Sequence, residues 1–422
     1  MTHAPRFEFD RRRFLGTSAA GAAAAIATQA WLPRVSWAGT AGTSRDTIVI
    51  VFLRGGSDGL TMCAPYADLN LYTLRPTLAI QPPGNPNGAL DLDGFFGFAP
   101  AMAPLMPAYQ AGNLAVVHAT GLMDPSRSHF DMQRLMEFGV SSATSAGIST
   151  GWAGRTMQTI APAGSGLLRG MAIENSVSRS LAGGPACVAV PDPANFALAG
   201  QANTALGRRA ALTTMHTAEP FPLGTAGLNA FATIDLLATI DFVNYVPANG
   251  AVYPTTSFGR KLESAAALIK ADLGIEFIEA DLGGWDQHNQ LGPITGTMAN
   301  LMDELARGLA AFHSDLSDVA GTLGRVTVVC MSEFGRRAQE NGSAGTDHGH
   351  GNCLLVLGGH VAGGQVISSW PTLAPASLDS GDLAITIDYR DILAEILTDR
   401  AACTSLATVF PGFVPTDRGI TT

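Results

Sequence analysis

The chain has 422 residues, 46% of them hydrophobic and 14% charged: ample material for a large core, and too little charge for a coiled coil. Its net charge of −10, with no basic run outside the extreme N-terminus, argues against nucleic-acid binding. The five cysteines, at 63, 187, 330, 353 and 403, match no metal-type pair spacing and form no disulfide framework, although one bridge stays open.

The first 38 residues read as an address, not as fold. Arg11-Arg12-Arg13-Phe14-Leu15 precedes a small-residue apolar run over 16–31, and Ser36-Trp37-Ala38 offers a cleavage site. That is a twin-arginine export signal, cut after Ala38. The run is too mild and too short for a permanent membrane helix, so an uncleaved anchor is the weaker alternative. The mature chain is then periplasmic or secreted, with no membrane span after signal removal.

Residues 47–53 (TIVIVFL) form a continuous apolar run, the pattern of a strand buried on both faces. It ends in Arg54-Gly55-Gly56-Ser57-Asp58-Gly59. This turn is either an anion-binding nest around Ser57 or Asp58, or a tight strand-to-helix turn needing glycine for geometry alone. The GxGxxG spacing of a dinucleotide site is absent. Residues 81–100 are turn-rich and predict a surface excursion. A second strand over 114–117 leads to Asp124-Pro125-Ser126-Arg127-Ser128-His129, ahead of a helix over 131–138. Arg127 and His129 are placed to bind an anionic substrate; equally, Asp124 or Ser126 caps the helix and His129 packs near its start.

A helix starts at 152–160, and short strands follow at 170–173 and 187–190. Residues 195–250 are rich in Ala, Thr and Gly, with a helix predicted over 228–242, and read as an insertion lining or capping the site. An amphipathic helix over 257–273 precedes a strand over 275–280, then Gly283-Gly284-Trp285-Asp286-Gln287-His288. Here a carboxylate and an imidazole stand two apart beyond a strand end, giving Asp286 and His288 as a metal-ligand pair; the alternative is a Trp-anchored turn. After a helix over 298–316 come two buried strands, 326–331 and 353–357, where Cys330 and Cys353 read as packed thiols. The loop between them carries Glu333, Arg336, Asp347, His348 and His350. Residues two apart in an extended backbone point the same way, so His348 and His350 are expected to converge on a divalent ion, zinc or manganese, with Glu333 nearby. An edge strand over 384–387 and a helix over 388–397 close the chain. Strands alternating with helices, without repeats or a dividing linker, predict one α/β domain over 46–416: a three-layer sandwich around a mostly parallel sheet.

Together, FLRGGSDGL (52–60), GLMDPSRSHFDMQ (121–133), GGWDQH (283–288), SEFGR (332–336) and GTDHGHG (345–351) resemble the exported bacterial family called domain of unknown function 1501, which looks like a branch of the alkaline phosphatase and sulfatase superfamily. The resemblance implies an alkaline-phosphatase-like fold and an exported, metal-dependent hydrolase acting on phosphate or sulfate esters. Asp286 and His288 would match the superfamily's mid-chain ligand pair, and His348 or His350 its late histidine. Two departures follow. The first strand ends in Leu53-Arg54, with the nearest acid displaced to Asp58, and the later Asp-His pair stands as Glu333-Phe334. One divalent metal is therefore expected rather than two. Ser57 or Ser128 is the candidate nucleophile, and Arg54, Arg127 and Arg336 are candidate contacts to an anionic ester or glycan. The rival reading is a non-catalytic envelope protein that uses the crevice to bind a glycan or an exported protein partner.

Overall fold

The computed structural model describes residues 46–164 and 166–422; the expected export signal over 1–38 lies outside them. The central strand β1 (Thr47–Arg54) is the TIVIVFL run, and it is buried on both faces. Its alternation sorts two cores. Val49, Val51 and Leu53 face one apolar cluster, while Ile48, Ile50 and Phe52 face the other. A polar residue in this run would meet a helical layer on either side, which is why the run is unbroken.

Further strands are β2 (Leu114–Gly121), β3 (Gly170–Ala172), β4 (Cys187–Ala189), β5 (Phe277–Gly283), β6 (Val326–Met331), β7 (Asn352–Gly358), β8 (Gln365–Ile367) and β9 (Ile387–Asp388). They form one nine-stranded sheet in the order β8-β2-β7-β6-β1-β5-β3-β4, with β9 also paired to β2. All pairings are parallel except those of β7, which runs against both β2 and β6. On one face lie α5 (Ser257–Lys270) and α6 (Thr297–Leu316), which bury Leu262, Ala266, Leu305, Leu309 and Phe312. On the other lie α1 (His129–Phe138), α2 (Trp152–Thr159) and α7 (Tyr389–Ala401), with Met132, Leu135, Trp152, Ile392 and Ile396 inward. This is the three-layer arrangement with a mostly parallel sheet that the strand–helix alternation predicts.

Three local expectations need correction. Residues 81–100 are no mere surface excursion: two short strands there pair with each other, one also pairs with Cys63–Ala64, and Phe96 and Phe98 are buried. Aromatic side chains outweighed the turn signals. The Ala-rich stretch holds two helices, α3 (Ala205–Ala218) and α4 (Leu223–Leu237), joined in part by an Arg209–Asp235 ion pair. Residues of α4 line a cavity with Cys187 and Val188 of the edge strand β4. The last strand is only Ile387–Asp388, not 384–387; it pairs with Thr120 and Gly121 and ends there because Asp388 caps α7, accepting from the Arg390 N–H at 3.0 Å. All five cysteines are free. No helix among the described residues is long and apolar enough to cross a membrane.

Candidate metal centre

At the carboxyl ends of β1, β5 and β6 the chain makes three turns that meet. Past β5, Trp285 is buried and donates from Nε1 to Leu282 O at 3.0 Å, while its backbone N–H donates to Arg54 O at 3.3 Å. The two turns pack so closely that a Cβ on Gly55, whose φ is 120°, would stand 2.7 Å from Asp286 N. Only glycine fits there. Thus anchored, Asp286 is held half-exposed over the crevice.

Three imidazoles surround it. The Nε2 atoms of His288, His348 and His129 lie 3.0, 3.1 and 3.5 Å from Asp286 Oδ1. Each ring is oriented by its other nitrogen. His129 Nδ1 is 2.7 Å from Glu333 Oε1, His288 Nδ1 is 3.0 Å from Asp347 Oδ1, and His348 Nδ1 is 2.9 Å from Arg127 O. These partners only accept, so in the neutral rings Nδ1 carries the proton and Nε2 presents a lone pair. His129 Nε2 is buried with no hydrogen-bond partner, and the Nε2 atoms of His288 and His348 face each other at 3.0 Å. Lone pairs turned on one another and on a carboxylate repel unless a cation lies between them. A tetrahedral ion bound at about 2.0–2.1 Å holds its donors roughly 3.3 Å apart, close to the spacings seen. Ligand atoms of His129, Asp286 and His348 all lie within 4.8 Å of one another, and His288 Nε2 stands 3.0 Å from both Asp286 Oδ1 and His348 Nε2. These residues fit a divalent metal with imidazole-rich ligation.

The supports are buried. Glu333 Oε1 accepts from Gly55 N at 2.9 Å and Gln133 Nε2 at 2.7 Å as well as from His129, and Oε2 accepts from Ser332 Oγ at 2.9 Å. Burial works against its charge, yet the His129 and Gln133 hydrogen bonds keep its pKa below the usual glutamate value. Arg336 is fully buried, donating to Gly56 O at 2.6 Å, Trp285 O at 3.0 Å, Thr346 O at 3.1 Å, Gly55 O and Asp286 Oδ1 at 2.8 Å. It ties the turns together and charges the carboxylate. Burial raises the Asp286 pKa, but the hydrogen bond and charge of Arg336, with His348 and His288, bring it down to about 2. The Glu333 hydrogen bond raises the His129 pKa against burial, so a proton competes for that ring when no cation is bound.

The family described as "Protein of unknown function (DUF1501)" matches over residues 143–399. The chain belongs to this family. Within DUF1501 terms, Asp286, His288, Glu333 and His348 all fall inside the matched stretch, and His129 precedes it. No curated protein matches the sequence. Solved structures similar to this DUF1501 chain include the PsFucS1 sulfatase from Pseudoalteromonas sp., at 10% identity over 98% of this chain and 78% of that one, with a TM-score of 0.40. The C-terminal periplasmic domain of EcEptC from Escherichia coli is 13% identical over 93% of each chain, with a TM-score of 0.31. The alkaline phosphatase of the Antarctic bacterium TAB5 is 10% identical over 74% of this chain and 92% of that one, with a TM-score of 0.29.

The remaining candidates lie apart from the centre. His350 turns to Asp379, with Nδ1 at 2.8 Å. The two-apart argument does not bring it beside His348, because an isolated bridge pairs His348 with Arg336 while Gly351 N bonds Leu383 O. Arg54 is surrounded by Asp281 at 2.7 Å, Glu137 at 3.0 Å and Glu279 at 3.4 Å. Asp58 is buried against Arg75 at 2.5 Å. Ser57 is buried, its Oγ accepting from Asn352 Nδ2 at 3.1 Å, and Ser128 caps α1. Arg127 donates through Nε and Nη2 to Asp382 at 2.9 and 2.5 Å. Residues 195–250 contribute no hydrogen bond or ion pair to the centre among the described residues. His129 was legible in the sequence as a polar residue past a strand end; its approach to Asp286, from an element 157 positions away, has no local signal.

Proposed function

We propose that this protein is an exported, single-metal hydrolase acting on a phosphate or sulfate ester in the cell envelope. The observation carrying this reading is the convergence of three oriented Nε2 atoms on Asp286. A bound zinc or manganese ion would polarise an ester oxygen and stabilise developing negative charge. His129, Asp286 and His348 are the ligands, His288 is a fourth donor, and Glu333, Asp347 and the Arg127 carbonyl fix the ring orientations. Ser128, partly exposed and next to His129, serves as nucleophile, whereas Ser57 is buried; loss of activity in Ser128→Ala but not in Ser57→Ala checks the choice. Export rests on the twin-arginine signal, with one domain following it.

The test is elemental analysis of the mature protein purified from the periplasm without chelators. About one equivalent of a divalent ion is expected, lost in Asp286→Ala and His348→Ala, with phosphatase or sulfatase activity lost alongside it. A folded, monodisperse protein without metal sinks the reading. The rival, a non-catalytic envelope binding protein, is favoured by one specific observation. Arg54 and Arg127, the cations expected to clamp an anion, are already paired with buried carboxylates.

A further inference from the structure

A cavity of about 470 Å³ opens on the far side of the loop that carries His348. Met123, Pro125, Ala384 and Ile385 supply an apolar wall, and Arg127, His350, Asp379 and Ser380 supply polar groups. The volume is that of a small-molecule site, roughly 300–1,000 Å³. Arg127 belongs to both places: its side chain lines the cavity while its carbonyl oxygen orients His348 at 2.9 Å. The cavity and the centre therefore share Arg127.

The walls are fixed before any ligand arrives. The buried Asp382 carboxylate grips the Arg127 guanidinium, and a backbone bridge ties Asp382 to Arg337. His350, itself 8% exposed, is held by Asp379. Buried Asp382 and His350 hold the more exposed Arg127 and Asp379 in place, which preorganises the site.

Carboxylates outnumber cations in the wall. Arg127 is paired with Asp382 and the His350 ring with Asp379, while Asp124 accepts from the backbone N–H groups of Ser126 and Ser142. Such a wall gives no net attraction to an anionic group. Asp379 and Ser380 are exposed and offer hydrogen-bonding oxygens beside small aliphatic surfaces. Among the described residues no Phe, Tyr or Trp lines the cavity, and the one ring there, His350, is held by Asp379. Hydrogen-bonding oxygens along one edge and C–H groups along the other suit a sugar ring.

We infer that this cavity binds a neutral sugar ring, the alcohol portion of the ester handled at the His129–Asp286–His348 centre. The place in the reaction rests on the proposed hydrolase reading; the binding itself does not need the metal. The experiment is titration calorimetry of the mature protein, with and without zinc, using galactose, N-acetylglucosamine and galactose 6-sulfate, and adenosine as the control. Binding of at least one sugar is expected. It should weaken about tenfold or more in Asp379→Ala and in the cavity-filling Ala384→Phe, each checked for an unchanged melting temperature. Asp286→Ala should lose metal yet keep the sugar, so failure of the metal reading and failure of this one remain separable. No binding by any of the three sugars, preference for adenosine, or sugar affinity unchanged in Asp379→Ala overturns the assignment.

Discussion

Two clusters stand at the same end of the sheet with opposite designs. Around Arg54, one cation is enclosed by three carboxylates, Glu137, Glu279 and Asp281. Around Asp286, one carboxylate is enclosed by three imidazoles, with Arg336 behind it. The first is closed: the protein supplies the cation, and two of its acids are pushed toward their neutral forms. The second is open: its rings present lone pairs that a bound cation would complete. The contrast teaches that three acids around a point can be answered by the protein's own cation, whereas neutral donors turned on one carboxylate are not.

The largest effect expected from breaking the contrast is on the closed cluster. Arg54→Met leaves buried carboxylates facing each other without their cation, a loss of about 3–5 kcal/mol in a urea melt at neutral pH. A loss below about 1 kcal/mol would mean that water or an ion already screens the group.

Next is its pH dependence. Burial raises the Asp281 carboxyl, against the charge and hydrogen bond of Arg54, to about 6 from 3.8. The native state thus holds a proton that the unfolded chain has released, and this stabilisation is present below about pH 4 and lost as pH rises through about 6. A rise of that size corresponds to on the order of 3 kcal/mol. The stability difference between wild type and Asp281→Asn should therefore change across pH 4–6 with wild type gaining toward acid; a flat difference contradicts the closed design.

The smallest effect lies in the open cluster's support. Glu333→Gln keeps the shape but removes the charge that holds Nδ1–H of His129. Metal affinity should fall about 10–100-fold with the fold intact, as read by chelator competition. An unchanged affinity would show that His129 is not a ligand.

Much of the sheet was legible because its strands are buried on both faces. TIVIVFL and the runs at 326–331 and 353–357 hold no charged residue, and Thr47 and Thr327 are their only polar side chains, the pattern of buried strands. Asp286 and His288 were legible for a similar reason: glycines and a tryptophan mark a turn that must leave a strand end. His129 and His350 were harder. The period-two rule assumes an extended backbone, whereas residues 346–351 are held by pairings to Arg336 and Leu383 that come from elsewhere in the chain. Arg54 read as a free clamp because its three carboxylates come from β5 and α1, more than 80 positions away. Local spacing carries no record of such encounters.

The reversed direction of β7 has a consequence for how such a protein can change over generations. Because β6 and β7 are antiparallel neighbours, the segment between them, residues 332–351, leaves and re-enters the sheet on one side. Its ends are pinned about one strand spacing apart, roughly 4.8 Å. Lengthening a loop closed in this way costs only about 0.6 kcal/mol for each doubling. The exposed tip of the segment, residues 342–344, can therefore lengthen at little cost, while buried Glu333 and Arg336, which tie the turns together, keep the frame as it is.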